Sequence, residues 1–81
     1  MKLRVQLFAQ LRDLAGSSEV ELDLADDATV LDLLARLYEE KPALRAHDKD
    51  ILIGAGVEFV DRNYRLSPAD EISIMPPVQG G

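Results

Sequence analysis

The sequence has no cysteine and only one histidine among its 81 residues. Without cysteine there is no disulfide framework, no thiolate nucleophile, and no cysteine-bound zinc or iron–sulfur site. A single histidine removes most metal sites and catalytic triads. Long apolar runs are missing too. The longest uncharged apolar run, residues 51–57, falls far short of the roughly 18 residues that indicate a transmembrane helix.

Basic side chains are also scarce: the sequence has 9 Lys and Arg against 15 Asp and Glu, which gives a net charge of -6. Nucleic acid and anionic lipid are met by clustered Lys and Arg, so we expect neither nucleic acid nor membrane as a partner. The acidic balance favours a basic partner surface. Charged residues from Lys2 to Asp13 interrupt any signal-peptide core. We therefore expect a cytoplasmic domain.

The composition that remains is that of a small globular domain, with 47% apolar and 30% charged residues. A chain of this length makes one domain with one modest core. Apolar residues alternate with polar ones in residues 2–7, which predicts a first strand. A helical spacing follows from Phe8 to Ala15, and Gly16 is a plausible left-handed stop. Residues 19–24 alternate again and predict a second strand with an acidic outer face.

The strongest helix signal starts at Thr29. Thr29 and Asp32 have the spacing of a capping box. A single apolar stripe follows, and Pro42 is expected to close this one long helix. The stripe comprises Val30, Leu33, Leu34, Leu37 and Tyr38.

The second half of the chain reads as a loop followed by short strands. Residues 43–50 are polar and irregular, which predicts a loop. In residues 51–57 every second residue, starting from Ile51, is apolar, which predicts a third strand. Phe59 and Val60 predict a short fourth strand, and residues 72–74 predict the last one. This order predicts an α+β fold, a mixed sheet packed on one long helix plus short helices. It is the outline of a ubiquitin-like β-grasp domain, although the pattern also allows other small α+β rolls.

The usual motifs that carry side-chain chemistry are absent from the sequence. There is no phosphate-binding loop, and Gly54-Ala55-Gly56 lacks the third glycine of a dinucleotide fingerprint. Those two glycines are better explained by relief of crowding in a strand or turn. His47 sits in a charged loop and is expected to be a solvated surface residue. We expect no metal site and no side-chain active site.

The C-terminus is different, because the last two residues are Gly80 and Gly81. Gly-Gly presents backbone without Cβ atoms and can enter a channel too narrow for any other dipeptide. The free carboxylate can be activated as an acyl-adenylate and passed to a nucleophile. Pro76 and Pro77 hold the preceding segment extended, which lowers the entropy cost of insertion. The alternative is a frayed or truncated terminus with no role.

Two segments carry a resemblance to a known family. They are F-A-Q-L-R-D-L-A-G at residues 8–16 and D-E-I-S-I-M-P-P-V-Q-G-G at residues 70–81. They resemble the MoaD family, the small sulfur-carrying subunits of molybdopterin synthase, over essentially the whole chain. The thiamine sulfur carrier ThiS shares the Gly-Gly ending but is usually shorter and lacks the double proline. Archaeal small modifier proteins share the whole ending and remain an alternative.

The resemblance implies a carrier cycle with no catalytic residue in this chain. An E1-like adenylyltransferase (MoeB-type) would use ATP to adenylate the carboxylate of Gly81, and a sulfur donor protein would convert it to a thiocarboxylate. The carrier would then dock on the molybdopterin synthase large subunit (MoaE-type) in a heterotetramer. There it would give sulfur to the cyclic pyranopterin precursor. No cofactor would be bound permanently.

The resemblance also assigns residues. Residues 1–75 would form the β-grasp domain and residues 76–81 an extended tail, with Gly81 as the carrier. The residues expected to shape the tail and its insertion are Pro76, Pro77, Val78, Gln79 and Gly80. An apolar docking face is expected at Phe8, Phe59 and Met75, with Arg12 beside it. Core packing is the competing interpretation of the three apolar residues.

Two positions depart from the family pattern, and two other functions stay open. The family usually has Asn near Gly56, and Gly where this chain has Ala69, so Ala69 is expected to strain its turn.

One alternative function is a ubiquitin-like protein modifier whose Gly81 ends in an isopeptide bond. A sulfur carrier for another pathway, such as thiamine synthesis or tRNA thiolation, is grouped with this first alternative. The second alternative function is an interaction module whose tail is incidental.

Overall fold

The computed structural model describes residues 1–77, which form one five-stranded sheet with helices on one side. The strands are β1 (Lys2–Leu7), β2 (Glu19–Asp23), β3 (Leu52–Ala55), β4 (Glu58–Val60) and β5 (Ile72–Met75). The helices are α1 (Ala9–Ala15), α2 (Val30–Glu40) and a 3₁₀ helix (Pro42–His47). The alternation of apolar and polar residues thus located the strands, and the capping box located the long helix.

The sheet is mixed, with the strand order β2-β1-β5-β3-β4. Strands β1 and β5 lie at its centre and run parallel, with Val5 opposite Ile72 and Leu7 opposite Ile74. The other neighbouring pairs are antiparallel. This arrangement confirms the predicted α+β class with a mixed sheet. It also places the first and last strands side by side.

The core lies between the sheet and α2. The inner face of the sheet contributes every second residue of its strands, as strand geometry requires. The apolar stripe of α2 packs against that face and is fully buried. The largest buried side chains are Val5, Leu7, Leu11, Leu22, Val30, Leu33, Leu34, Leu37, Ile72 and Ile74. All five residues of the predicted stripe are in this core.

The N-terminus of α2 is closed by its own cap and by a distant loop. The Thr29 amide donates to Asp32 Oδ2 at 3.0 Å, and the Asp32 amide donates to Thr29 Oγ1 at 3.4 Å, which is the predicted capping box. The first two amides of the helix donate to the carbonyl oxygens of Tyr64 and Arg62, each at 3.0 Å. Since these amides have no partner within the helix, the loop after β4 completes the helix start.

Residues 43–50 are not the irregular loop that the sequence indicated. Pro42 opens a 3₁₀ helix that extends to His47, and Leu44 points from it into the core. Proline suits the first position of a helix because its missing amide has no partner there. One buried leucine in a polar segment gives no periodicity, so the pattern could not indicate this helix.

The third strand is shorter than predicted. Gly56 adopts a φ of 62° and begins the tight turn into β4. Val57 therefore lies in that turn and is fully exposed, outside the apolar row that its parity indicated. The left-handed backbone at Gly56 is one that Gly and Asn both tolerate. The departure at this position thus leaves the turn intact.

The strain expected at Ala69 is also absent. Among residues 1–77, Ala9 is the one non-glycine residue with a positive φ. The turn at Ala69 closes through side chains and a backbone bond. The Ser67 amide donates to Asp70 Oδ2 at 2.7 Å, and the Asp70 amide donates to the Ser67 carbonyl at 3.0 Å. This closure does not need a left-handed residue, so alanine is accommodated.

Two leucines of α2 test whether the helix is held by its buried face. Leu34→Ala should lower the free energy of unfolding by about 2–5 kcal/mol, because Leu34 is 1% exposed and its loss leaves a cavity. Leu31→Ala should lower it by less than about 1 kcal/mol, because Leu31 is 55% exposed. Urea unfolding measures both. Equal effects of the two substitutions would contradict the orientation of α2.

Candidate functional site

The outer face of the sheet, away from α2, has a polar half formed by β1 and β2. Exposed charged and amide side chains line these two strands in register. Arg4 Nε lies 3.7 Å from Glu19 Oε1 and 3.9 Å from Glu21 Oε2. These exposed ion pairs contribute little to stability. The positive charge of Arg4 partly offsets the negative charges of Glu19 and Glu21 on this face. The polar half therefore presents a mixed, solvated surface.

The other half of the outer face is apolar and is formed by β3, β4 and β5. Met75 lies opposite Leu52, and Phe59 lies opposite Gly54. Residues directly opposite in a sheet point to the same side, so these four positions share the outer face. Phe59 is 70% exposed and Leu52 is 37% exposed. Such a patch on a small domain is typical of an interaction surface.

Three of the predicted docking residues surround one depression in this apolar half. Phe8, Phe59 and Met75 line a depression of about 170 Å³, together with Gly54 and Glu58. Core packing of the two phenylalanines is excluded, because Phe8 is 43% exposed and Phe59 is more exposed still. Met75 is half-buried. Their docking role stays a prediction, but the structure brings them together.

Phe8 reaches this surface because of the junction between β1 and α1. Its amide donates to the Ile74 carbonyl at 3.2 Å, which extends the parallel pairing by one residue. Ala9 then turns the chain into the helix with a φ of 52°. A left-handed alanine costs about 1–2 kcal/mol, so the fold stores strain at the residue that follows Phe8. The junction leaves Phe8 beside the end of β5.

Arg12 lies where the sequence predicted it, next to Phe8. It is exposed on α1 and lines a second depression of about 170 Å³ together with Phe8, Gln6 and Glu19. This depression joins the apolar half of the face to the polar half at Phe8. Arg12 thus adds a positive charge at the border between the two halves.

The sequence interpretation missed two residues of the apolar half, Leu52 and Gly54. Both have the opposite parity to Ile51 and Ile53, whose side chains enter the core. The signal was available, because the outward positions of a strand alternate with its core positions. A polar residue is expected at an outward position, and this strand has leucine and glycine there instead.

The predicted tail begins at the end of β5, beside this surface. Pro76 is half-buried and Pro77 is exposed, and both line a depression of about 520 Å³ with Gln10, His47 and Asp50. His47 is half-buried, so it is not the fully solvated residue that the sequence indicated. The roles predicted for Val78, Gln79, Gly80 and Gly81 concern residues outside the described part of the chain.

Residues 1–77 contain no group of three or more His, Asp or Glu side chains that is placed to hold a metal ion. No helix within this part of the chain is long and apolar enough to span a bilayer. Over the same residues, no charged or polar side chain is fully buried.

One polar cluster away from the outer face was not indicated by the sequence. The Tyr38 hydroxyl and Arg62 both donate to the carboxylate of Asp48, the arginine at 2.8 Å, and Arg45 lies 5.4 Å from the Tyr38 ring centroid. Burial and the bond to Asp48 raise the pKa of Tyr38. The hydrogen bonds from Tyr38 and Arg62 lower the pKa of Asp48. The cluster ties α2 to the 3₁₀ helix and the loop after β4.

A second tyrosine fastens the segment that precedes β5. The Tyr64 hydroxyl donates to the carboxylate of Asp70 at 3.0 Å, and this bond raises the pKa of Tyr64. Asp70 also accepts the Ser67 amide. Both tyrosine clusters join residues that are distant or irregularly spaced in the sequence, so no motif could have indicated them. Their partners show structural roles.

Comparisons with known proteins agree with this geometry. The model of the ThiS family matches residues 5–81, so the chain belongs to the ThiS family. It is 35% identical to the molybdopterin synthase sulfur carrier subunit of Chlamydomonas reinhardtii, over 100% of both chains. The resemblance drawn from the two segments of the sequence is thereby confirmed.

Solved structures show the same fold. The crystal structure of small archaeal modifier protein 1 from Haloferax volcanii has a TM-score of 0.89 with 32% identity, over 100% of both chains. A chain of the complex of subunits 1 and 2 of molybdopterin-converting factor from Helicobacter pylori has a TM-score of 0.71 with 27% identity, also over 100% of both chains. The predicted ubiquitin-like β-grasp fold is confirmed.

Phe59 tests whether the apolar half contributes to the stability of the domain. Phe59→Ser should change the free energy of unfolding by less than about 1 kcal/mol, because the side chain is already 70% exposed. Urea unfolding of the variant measures this. A loss of about 3 kcal/mol or more, as expected for a core phenylalanine, would show that Phe59 holds the fold.

Asp48 should give the stability a pH dependence. Asp48→Asn should lower the free energy of unfolding by about 1 kcal/mol at pH 7, since it removes a charged hydrogen bond to Arg62. Because folding lowers the pKa of Asp48 from 3.8, this contribution is complete above that pH and is lost as the pH falls through the lowered pKa. Unfolding curves of both proteins should therefore converge in acid.

Asp13→Asn serves as the matched control for Asp48→Asn. Asp13 is exposed on α1 and makes no ion pair with any residue from 1 to 77. Its substitution should leave the free energy of unfolding within about 0.5 kcal/mol of the unsubstituted protein at each pH. A constant difference between Asp48→Asn and the unsubstituted protein from pH 7 into acid would contradict the role given to the carboxylate.

Proposed function

We propose that this chain is the sulfur carrier subunit of a molybdopterin synthase. The observation that carries the proposal is the root of the Gly-Gly tail. Central strand β5 ends at Met75, inside the exposed apolar half of the outer face, and Pro76 and Pro77 follow directly. A partner that covers this surface therefore meets the start of the tail. The family membership and the named carrier relatives support the same role.

The chemistry resides in the carboxylate of Gly81. In the activating enzyme, a carboxylate oxygen attacks the α-phosphorus of ATP, and pyrophosphate leaves. A sulfide nucleophile then displaces AMP from the acyl-adenylate and leaves a thiocarboxylate. Sulfur passes from this group to cyclic pyranopterin monophosphate to build the dithiolene of molybdopterin. The absent cysteine is no obstacle, since the sulfur travels on the chain terminus.

This chain acts in the cycle as a bound substrate and not as an enzyme. Its tail residues Val78, Gln79 and Gly80 enter the partner's active site, and glycine at position 80 passes where a Cβ would obstruct. The side chains that assist sulfur transfer belong to the large subunit. The docking face and the tail thus divide the work between binding and chemistry.

Three protein partners follow from this proposal. The first is the molybdopterin synthase large subunit, supported by the Helicobacter pylori complex of subunits 1 and 2, and the assembly is a heterotetramer. The second is an E1-like adenylyltransferase that uses ATP, and the third is a sulfur donor protein. The cycle runs in the cytoplasm. A net charge of -6 suits partners with basic surfaces.

A ubiquitin-like protein modifier is the second candidate. The likeness to small archaeal modifier protein 1 favours it, with a TM-score of 0.89 over the whole chain. Both functions need the same adenylate of Gly81. They differ in the nucleophile that follows, which is sulfide for the carrier and a lysine amine for the modifier. Conjugates that appear on a blot and vanish on removal of Gly81 would favour the modifier.

Intact mass after incubation with the activating enzyme, ATP and a sulfur source tests the carrier chemistry. The protein should gain the mass difference of one oxygen replaced by sulfur, and the gain should map to the C-terminal peptide. Gly81→Ala should lower the yield by about tenfold to a hundredfold, since a small misplacement of the reacting group costs that much. Its melting temperature should equal that of the unsubstituted protein.

Two outcomes would contradict the proposal. No mass gain with an activating enzyme that is active on another carrier would remove the sulfur carrier function. A normal thiocarboxylate yield from Gly81→Ala would show that the terminal glycine is not selected.

A further inference from the structure

The two edges of the sheet differ in length, because the strand order places β2 at one edge and β4 at the other. Strand β4 has three residues, whereas β2 has five. A short edge strand offers few unpaired backbone groups, and a longer one is a template for pairing with another chain. The side of β2 that faces away from β1, here called the β2 edge, therefore needs either protection or a partner.

The hydrogen bonds between β1 and β2 determine which backbone groups lie on the β2 edge. The Met1 amino group donates to the Leu24 carbonyl, and the Leu24 amide donates to the Met1 carbonyl at 2.7 Å. In an antiparallel pair, residues bonded in this way alternate with residues that are not. Continued along the register, the alternation makes Val20 and Leu22 the residues of β2 that bond to β1.

The other residues of β2 direct their amides and carbonyls at the β2 edge. They are Glu19, Glu21 and Asp23. Ser17 closes one end of the edge, because its hydroxyl donates to the Glu19 carbonyl and accepts the Glu19 amide at 3.2 Å. The backbone groups of Glu21 and Asp23 have no hydrogen-bond partner among residues 1–77. Two donors and two acceptors thus remain in the plane of the sheet for one further strand.

The side chains of the same three residues form an acidic row on the outer face. All three are exposed, and Lys2 and Arg4 of β1 lie opposite Asp23 and Glu21. Opposite charges directly across neighbouring strands are stabilising, and like charges there are destabilising. A second copy of β2 would set an acidic row against this one. A strand with Lys or Arg at every second position would instead repeat the charge alternation that β1 provides.

The inward side of such a strand would meet apolar neighbours. Val20 and Leu24 have the parity of the core residue Leu22, but they are only half-buried at the margin of the core. Alternate residues of an added strand would lie beside them, because side chains on neighbouring strands share a face. An extended segment that alternates basic with apolar residues therefore fits both sides of the β2 edge.

We propose that the β2 edge binds an extended segment of a partner protein by antiparallel strand addition, with Lys or Arg of that segment paired to Glu21 and Asp23. Backbone hydrogen bonds provide the affinity, and the acidic row selects the segment. The same row disfavours pairing with a second copy, as charges on edge strands commonly do. The inference does not rest on the proposed function. Strands β1, β5 and β3 separate β2 from β4, so the apolar half can be occupied at the same time.

A capped six-residue peptide that alternates Lys with Val, K-V-K-V-K-V, tests the edge by amide NMR of the labelled protein. At saturating peptide, hydrogen exchange of the Glu21 and Asp23 amides should slow by at least tenfold, because each gains an acceptor. The Val20 and Leu22 amides already bond to β1, so their exchange should change far less. Unchanged exchange at Glu21 and Asp23 would overturn the proposal.

Backbone methylation of the peptide separates strand addition from charge attraction. In an antiparallel pair the residues opposite Glu21 and Asp23 exchange both hydrogen bonds with them, so the lysine amides of the peptide face the edge. Nα-methylation of the lysines keeps every charge and should weaken binding at least tenfold. Nα-methylation of the valines is the matched control and should leave the affinity within about twofold. A peptide with Glu in place of Lys should bind at least tenfold more weakly.

Glu21→Pro removes the donor from the protein side. Its amide faces away from β1, and proline is tolerated on an edge strand in that position, so the variant should keep its fold and bind at least tenfold more weakly. Glu21→Thr is the matched control, because it removes the same charge and keeps the amide. It should weaken binding less than proline does, and its effect should shrink at high salt.

Two further outcomes would overturn the strand addition. Equal affinities of the lysine-methylated and valine-methylated peptides would show that the acidic row attracts basic peptides by charge alone. A dimer of the protein in sedimentation that Glu21→Pro abolishes would assign the edge to a second copy. Neither result affects the carrier function, since thiocarboxylate formation is measured at the other end of the chain. The methylated peptides also test the edge independently of whether the proline variant folds.

Discussion

The parallel pairing of β1 with β5 is the constraint on which the rest of the structure depends. It places the two ends of the domain at the centre of one sheet, with Leu7 opposite Ile74. Because parallel strands end at the same edge, the residue after β1 and the last residue of β5 become neighbours. Phe8 and Met75 meet for this reason, and Pro76 starts the tail beside them. Antiparallel pairing of these strands would have put the tail and Phe8 at opposite ends.

The two faces of the sheet differ in what they contact. The inner face and α2 bury the large apolar side chains, and the loop after β4 secures the helix start through the carbonyls of Arg62 and Tyr64. The outer face contributes little to this core, so its apolar half is free to bind. Exposed aromatic residues are a solubility liability on a chain this small, and a strand glycine at 54 is a further cost. Both costs concentrate around the tail root, which is where a protein partner would have to act.

Local patterns in the sequence predicted most elements, because their signals lie within a few residues. Alternation located β1, β2 and β5, and Thr29 with Asp32 located the start of α2. Interactions between distant residues were not predictable in this way. No spacing pairs Tyr38 with Asp48 and Arg62, and no pattern indicates the left-handed φ of Ala9. At Ala69 the sequence predicted strain that the structure does not have, because the Asp70 side chain closes the turn without a left-handed residue. Phe8, Phe59 and Met75 were named through the family resemblance; their periodicity alone would also fit a core.

The proposed docking on the apolar half of the outer face and the proposed chemistry of the tail are linked by distance along the chain. Gly81 is the sixth residue after Met75, so the terminal carboxylate can lie at most about 20 Å from the apolar half of the outer face. A partner that holds this face therefore raises the local concentration of the carboxylate at its active site, as any short linker does. Pro76 and Pro77 restrict the path further. In the proposed cycle the activating enzyme and the large subunit both accept the same Gly-Gly ending, so the ending cannot tell the two apart. Discrimination between these proposed partners would then come from how each contacts the exposed apolar half of the outer face.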